Sequence, residues 1–329
     1  MLCVTLFFRA GMAQSPANGI KPNPGEGTNA FLLRNGLNPL QHMKAFVELN
    51  TGKFGKENTL LAHHIYFLPT INDTFTEPLF GEALKEATIK TNELTGATFY
   101  LISGHGGPDP GASGQYGKHK LDEDEYAYDI TLRLGRCLIE KGAKVVFVVQ
   151  DPNDGIRNEK ILLYDNDETC MGDPIPLNQI ERLRQRVDKV NQIYKANPGG
   201  YHRSVSIHLD SRSQKKQIDV FFYYYQGSPN GQNLAETLRQ VFNEKYKLHQ
   251  PSRGFSGTVS TRELYELKYT HPVSVFIELG NIQNTRDQQR FVIETNRQAL
   301  AVWLAEGLVR DYRSHKGASL PGNDQAPKM

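Results

Sequence analysis

His105 stands in Ser103-Gly104-His105-Gly106-Gly107, directly after the apolar run Ala97 to Ile102. That run reads as a buried strand, so the histidine emerges at its carboxyl end into a glycine-rich turn. His208 closes the run Ser204 to Ile207 in the same way, and Glu278 closes Val273 to Ile277. Open α/β sheets build their sites at such strand ends. Three runs that each end in a group able to bind metal or move protons therefore point to one shared site.

A hydrolytic zinc ion takes three N or O ligands from the protein and keeps a fourth position open. His105 and His208 supply two. A carboxylate early in the helix after the first strand would supply the third, and Glu125 is favoured, beside a buried stripe of Tyr126, Ile130, Leu134 and Leu138. Glu123 competes with it, and a two-residue offset where a loop becomes a helix is left open. Either acid could instead serve only as a first-turn charge on the helix dipole. Glu278 is then free to accept a proton from a water at the metal and deliver it to a leaving amine. A carboxylate at the end of an apolar strand is costly to bury without a partner, which favours a specific role.

The elements that must position these groups alternate along the chain. Strands are expected at 97–103, 144–150, 204–209, 219–225 and 274–279, and helices at 124–141, 176–196, 230–246 and 296–312. This order implies an α/β fold, a mostly parallel or mixed sheet with helices on both faces, preceded by a small α+β unit. The expected boundaries are a signal segment over 1–13, a leader or linker over 14–28, a small unit over 29–70, a connector over 71–95, the main domain over 96–313 and a flexible tail over 314–329. In the small unit, Ala30 to Leu33, Met43 to Asn50, Leu60 to Ala62 and Ile65 to Pro69 read as strand, helix, helix and strand. That order resembles a divergent lysin motif, a glycan-binding module; a small amphipathic cap is the alternative.

Composition narrows the function classes. A net charge of +2 over 329 residues gives no broad electrostatic footprint for nucleic acid. The three cysteines, Cys3, Cys137 and Cys170, form no C-x-x-C pair, so a metal must rest on histidines and carboxylates. Leu2 to Phe8 followed by Ala10-Gly11-Met12-Ala13 resembles a secretory signal, which places the protein in the periplasm or outside the cell. No later apolar run approaches bilayer-spanning length. The acidic loop with Asp151, Asp154, Asp165, Asp167 and Glu168 is not an EF-hand, because Gly155 falls at the wrong position. His119, His202, His249 and His271 are expected at the surface. Arg253 beside Gly254 is a candidate to bind a substrate carboxylate bidentately.

The ordered motifs resemble the zinc-dependent N-acetylmuramoyl-L-alanine amidases of the Amidase_3 type, over roughly Gly96 to Asp311. Gly104-His105-Gly106-Gly107 with Asp109-Pro110-Gly111-Ala112 resembles that family's first motif, and Ser206-Ile207-His208-Leu209-Asp210 its second histidine motif. Leu183, Arg186, Val190 and Asn191 follow its helix pattern, and Ile277-Glu278-Leu279-Gly280-Asn281-Ile282 with Asn284 resembles its catalytic glutamate motif. The resemblance implies one zinc ion on His105, Glu125 and His208, Glu278 as general base and acid, and hydrolysis of the amide joining muramic acid to L-alanine in peptidoglycan. The chain departs from the pattern at Asp129, Gln150-Asp151, Asp210 and Asn281, and by the long insertion from Asp151 to Pro174. A zinc peptidase acting on another peptide, and a catalytically decayed glycan-binding protein, are the alternative functions. An activator protein and the preferred stem peptide are not legible.

Overall fold

The protein is described from a computed structural model that covers residues 19–35, 37, 39–69 and 74–318. The expected signal segment and residues 319–329 lie outside the described residues. The chain divides into two compact units, residues 1–71 and 72–329. In the first, α1 (Thr28–Arg34) and α2 (Pro39–Leu49) are followed by an extended segment in which Tyr66 bridges Ile20 antiparallel. Phe31, Phe46 and Tyr66 are fully buried and form its aromatic core, with ring centroids 5.6–6.0 Å apart. Buried Asn50 ties α2 to that segment: its Nδ2 donates to the Phe67 carbonyl at 2.6 Å and its Oδ1 accepts from the Phe67 N–H at 2.7 Å.

Three expectations for this region are corrected. Ala30 to Leu33 is helical, not a strand, because a four-residue apolar run carries no period and tertiary packing of Phe31 and Leu32 decides it. Leu60 to Ala62 is not a helix; a short 3-10 turn at Lys56–Asn58 precedes it. Residues 19–27 of the expected linker are built into the unit, through the Ile20 bridge and the ion pair of Glu26 with Arg34.

The second unit opens with the antiparallel pair β1 (Thr74–Thr76) and β2 (Glu86–Thr88). Strand β3 (Ala97–Ser103) leads to the hairpin β4 (Ser113–Tyr116) and β5 (His119–Asp122), and this runs straight into α3 (Glu123–Ile139). After β6 (Lys144–Phe147), the short strands β7 (Val149–Gln150), β8 (Thr169–Cys170) and β9 (Asp173–Pro174) bracket the insertion. There follow α4 (Gln179–Ala196), β10 (Tyr201–Asp210), β11 (Phe221–Tyr224), α5 (Pro229–His249), β12 (Thr258–Thr261), α6 (Tyr265–Tyr269), β13 (Val273–Asn281), α7 (Thr285–Val292) and α8 (Glu294–Ala318). The central sheet has the order β12-β11-β13-β10-β3-β6, with all neighbours parallel except β11 against β13. It is a mixed sheet. Residues 314–318 of the expected tail continue α8 as helix.

The two-residue period of β3 shows why both faces are covered. Phe99 and Leu101 point into the large core with residues of α3, α5 and α8, while Tyr100 and Ile102 meet Val190 of α4 on the opposite face. Helix α3 is buried almost all round over its first thirteen residues, so it is a central helix and not a surface one. His202, expected at the surface, is buried, with its ring stacked on Tyr100 and Nε2 facing the Gly199 carbonyl at 2.8 Å.

Asp129, where the resembled family usually has Asn, sits at the centre of a buried charge network. Its Oδ2 accepts from Arg133 at 2.7 Å and from the fully buried Arg297 at 2.6 Å, and its Oδ1 accepts from the Arg157 N–H at 2.8 Å. Asp129→Asn would leave two buried guanidinium groups short of countercharge, at a cost of about 3 kcal/mol. A fall in Tm of roughly 6–12 °C is expected by calorimetry. No change in Tm would show that the buried arginines are satisfied without it.

Candidate metal centre and active site

The carboxyl ends of β3, β10 and β13 lie side by side, because β10 pairs with β3 on one side and β13 on the other. In register, His208 of β10 is directly opposite Glu278 of β13, and Ile207 is opposite Ser103, two residues before His105. Parallel pairing in register thus converts three separate strand ends into one cluster. A cleft of about 390 Å³ opens over it, with His105, Glu123, His208 and Glu278 among its lining residues.

Glu123, the first residue of α3, reaches both histidines. Its Oε2 lies 3.2 Å from His105 Nε2 and its Oε1 2.9 Å from His208 Nδ1. Backbone N–H groups hold the carboxylate in place: Leu209 donates to Oε1 at 3.0 Å and Ala112 to Oε2 at 2.8 Å. Burial alone would raise the Glu123 carboxyl, but the two histidines hold it well below the usual carboxylate range. For the His105 imidazole, burial opposes the charge, and the bonds to Asp109 and Glu123 outweigh it to bring the group up to about 10. The three side chains together therefore favour a positive charge between them.

His105 adopts a left-handed backbone with φ 63°, which costs a non-glycine residue about 1–3 kcal/mol. Neighbours hold it there. His105 Nδ1 lies 2.9 Å from Asp109 Oδ2, and the guanidinium of buried Arg186 donates to the His105 carbonyl. Arg182 donates to the same Asp109 oxygen at 2.6 Å. With the Nδ1 proton held by Asp109, Nε2 is the nitrogen that a metal would take in place of its proton, the arrangement that orients a metal-binding imidazole. His208 is oriented by packing: its ring stacks on Phe276 with centroids 4.1 Å apart. Two glycines make the space. A Cβ on Gly104 would lie 2.4 Å from His208 Nδ1, and one on Gly111, at φ +70°, would meet His105 at 2.6 Å.

The donor set fits zinc. Ligands in a tetrahedron about 2.0 Å from zinc stand roughly 3.3 Å apart. The separations of 3.2 and 2.9 Å, with all three donors within 4.8 Å of one another, already match a common ion. Glu278 stands beside this trio without joining it. Its Oε2 is buried with no hydrogen-bond partner, and burial, with Glu123 and Asp210 adding repulsion, pushes its carboxyl well above the ordinary range.

Glu125 does not reach the histidines. Successive residues of a helix turn by about 100°, so two positions on, the side chain points to the opposite side. Glu125 instead accepts from Arg157 at 2.8 Å and from the Asp165 N–H at 3.1 Å, and burial raises its carboxyl to about 7. The helical stripe could not discriminate the two acids, because α3 buries nearly every face. Arg253 is also placed elsewhere, ion-paired with Asp219 at 2.6 Å and stacked over Tyr246. The arginines that line the cleft are Arg182, Arg186 and Arg262. No local pattern in the sequence marks Arg182 or Glu266, whose Oε2 accepts from Ser206 at 2.5 Å. The departures from the resembled motifs are locally satisfied: Asp151 Oδ1 accepts from the N–H groups of Asn153 and Asp154, and Asn281 Nδ2 donates to the Lys216 carbonyl at 2.8 Å.

The family profile described as N-acetylmuramoyl-L-alanine amidase, Amidase_3, matches residues 100–310. The chain belongs to that family. Among curated proteins it is similar to the probable cell wall amidase LytH of Staphylococcus aureus, with 27% identity over 229 residues that make up 69% of this chain and 62% of that protein. LytH of Staphylococcus epidermidis is 24% identical over 230 residues, 70% of this chain and 63% of its own length. The chain thus spans about 62–63% of the length of these relatives. Among solved structures, this Amidase_3 member is similar to the CwlD amidase of Clostridioides difficile, with TM-score 0.48, 22% identity and coverage of 66% of this chain and 98% of that one. It is also similar to Ami1 of Mycobacterium smegmatis, with TM-score 0.49, 16% identity and coverage of 67% and 99%.

Proposed function

We propose that this Amidase_3 protein is a zinc-dependent peptidoglycan hydrolase that cleaves the amide between N-acetylmuramic acid and L-alanine. The observation that carries the reading is the meeting of His105, Glu123 and His208 on one side of the cleft floor with an unpaired Glu278 beside them. His105, Glu123 and His208 would hold the zinc ion. When bound, zinc supplies Lewis acidity toward the scissile carbonyl and toward water. Glu278 takes the proton from the attacking water and returns it to the departing alanine nitrogen; its upward-shifted carboxyl is suited to holding a proton near neutral pH. Asp109 and Arg186 keep His105 in its left-handed turn, and Phe276 keeps the His208 ring in plane. Arg262, over the Tyr223 ring at the cleft wall, takes the substrate-carboxylate role expected of Arg253. The relatives are cell wall amidases by name, which supports a site of action in the cell envelope. The small unit's proposed part is to hold glycan, a reading that now rests on α1 and α2 lying between the bridged segments at Ile20 and Tyr66 and no longer on the expected strand at 30–33.

Digestion of purified peptidoglycan, followed by mass spectrometry of the products, tests the reaction. Intact stem peptides with a free L-alanine amine are expected, lost with chelator and restored by zinc. Products cut within the stem peptide would make the protein a peptidase, and no release under any condition would leave only binding.

A further inference from the structure

Glu125, displaced from the histidine site, belongs to a second group of acids on the other side of α3. Asp124, Glu125 and Glu168 bring three carboxylate oxygens within 4.8 Å of one another, and Asp151, Asp165 and the same Glu168 do so again. The two triads meet at Glu168, at the point where the insertion returns to the main domain. Two oxygens bound to one calcium ion at about 2.4 Å are at most about 4.8 Å apart, so each triad has the span of a shared cation. Asp124 is 1% exposed, and Asp151, Glu125 and Glu168 are also buried.

The protein's own hydrogen bonds leave this group incomplete. Asp124 Oδ1 accepts from the Glu125 N–H at 2.9 Å, while its Oδ2 is buried with no partner. Asp165 Oδ1 is likewise buried without one. Arg157 neutralises Glu125 and Asp154 from one side. Five carboxylates thus stand in two triads joined through Glu168 with one guanidinium beside them, and each triad holds a buried carboxylate oxygen with no donor. Burying such charge uncompensated is costly, and a bound cation removes the cost.

We propose that Asp124, Glu125, Asp151, Asp165 and Glu168 form a calcium site that fastens the Asp151–Pro174 insertion to α3. Only oxygen donors are present, several of them carboxylates on a loop, which suits a hard cation of flexible coordination better than zinc and better than the strictly octahedral magnesium. The site is not an EF-hand, since its ligands come from a helix start and from a loop outside that spacing. It touches the histidine loop directly. Glu168 Oε2 accepts from the Gly107 N–H at 2.7 Å, two residues beyond His105, and Tyr164 donates to the Gly107 carbonyl at 3.2 Å. Calcium bound here stiffens the turn that presents His105, a structural role separate from the zinc on the cleft floor.

The test titrates calcium into the zinc-loaded, full-length protein, reading calorimetric binding and Tm. One saturable site and a rise of roughly 5–10 °C at a hundredfold excess over Kd are expected. Asp165→Asn, which removes an unpaired oxygen while keeping the backbone bonds, should weaken calcium binding at least tenfold, with zinc content unchanged; Asp124→Asn provides the same readout from the α3 side. No heat and no Tm change up to 10 mM calcium would overturn the proposal, as would an unaltered response in both variants. An equal response to magnesium would overturn the choice of calcium. Neither readout depends on amidase activity.

Discussion

Glu278→Gln should lower kcat/KM on peptidoglycan by about 10²–10⁴-fold, the range that one positioned acid-base group supplies. The amide has the size of the carboxyl but cannot take a proton from water at neutral pH. Glu278 does not belong to the His105–Glu123–His208 group, so the variant should still hold one zinc per chain. Stability gives a second readout. Burial disfavours the ionised carboxyl, so its folded-state pKa lies above the unfolded value. Native stability is then greatest below the unfolded pKa and falls as pH rises through the window between the two. Replacing the acid removes that dependence, and the metal-free variant should show a Tm at neutral pH equal to or above that of the parent. Activity within tenfold of the parent, with zinc bound, would rule out Glu278 as the proton carrier.

Glu123→Gln and Glu125→Gln are expected to separate completely. The first replaces a charged donor lying 3.2 and 2.9 Å from the two histidines by a neutral amide. Zinc affinity should fall by more than about 100-fold, beyond what loss of a supporting group outside the ligand set costs, and hydrolysis should drop to background. The second should keep zinc and activity within about tenfold, because Glu125 faces Arg157 across the helix. Its effect is on stability instead, about 1–3 kcal/mol for one lost charge-assisted bond, because half-buried Arg157 keeps its ion pair with Asp154. Metal analysis after dialysis decides the matter. Zinc retained by Glu123→Gln and lost from Glu125→Gln would reverse the assignment.

The strand ends were legible from local pattern. Runs of four to six residues, apolar or alternating with serine and bounded by polar or glycine-rich turns, read as buried strands, and a residue that closes such a run lies at the strand-end edge of the sheet whatever the remaining topology. His105, His208 and Glu278 were found this way, and alternating strands and helices imply that their strands run parallel, while the register that joins them is set by the pairing of β10 with β3 and β13. The edge elements were less legible. Strands β4 and β5, β12 and the short α6 contain few apolar residues, and each is stabilised by neighbours instead of by its own period. The five-residue α6 nonetheless brings Glu266 against Ser206 and Arg186.

Sequence periodicity was thus sufficient to set His105, His208 and Glu278 at strand ends, because strand pattern is local, whereas the order β12-β11-β13-β10-β3-β6 rests on pairings between residues far apart in the chain. The choice between Glu123 and Glu125 depends on helix phase. The first turn of α3 is set by the β4–β5 hairpin, where Ser113 donates to Asp122 at 2.8 Å and the Glu123 N–H bonds to the Ala112 carbonyl at 2.9 Å. Those contacts turn Glu123 toward β10 and send Glu125 to the insertion. Two acids two residues apart are equivalent in local pattern and 200° apart on the helix, so packing at a distance had to choose between them. The same holds for Asp124 and Glu125 on one side and Glu168, more than forty residues further along the chain, on the other, which become one acidic cluster only when the insertion folds back onto α3.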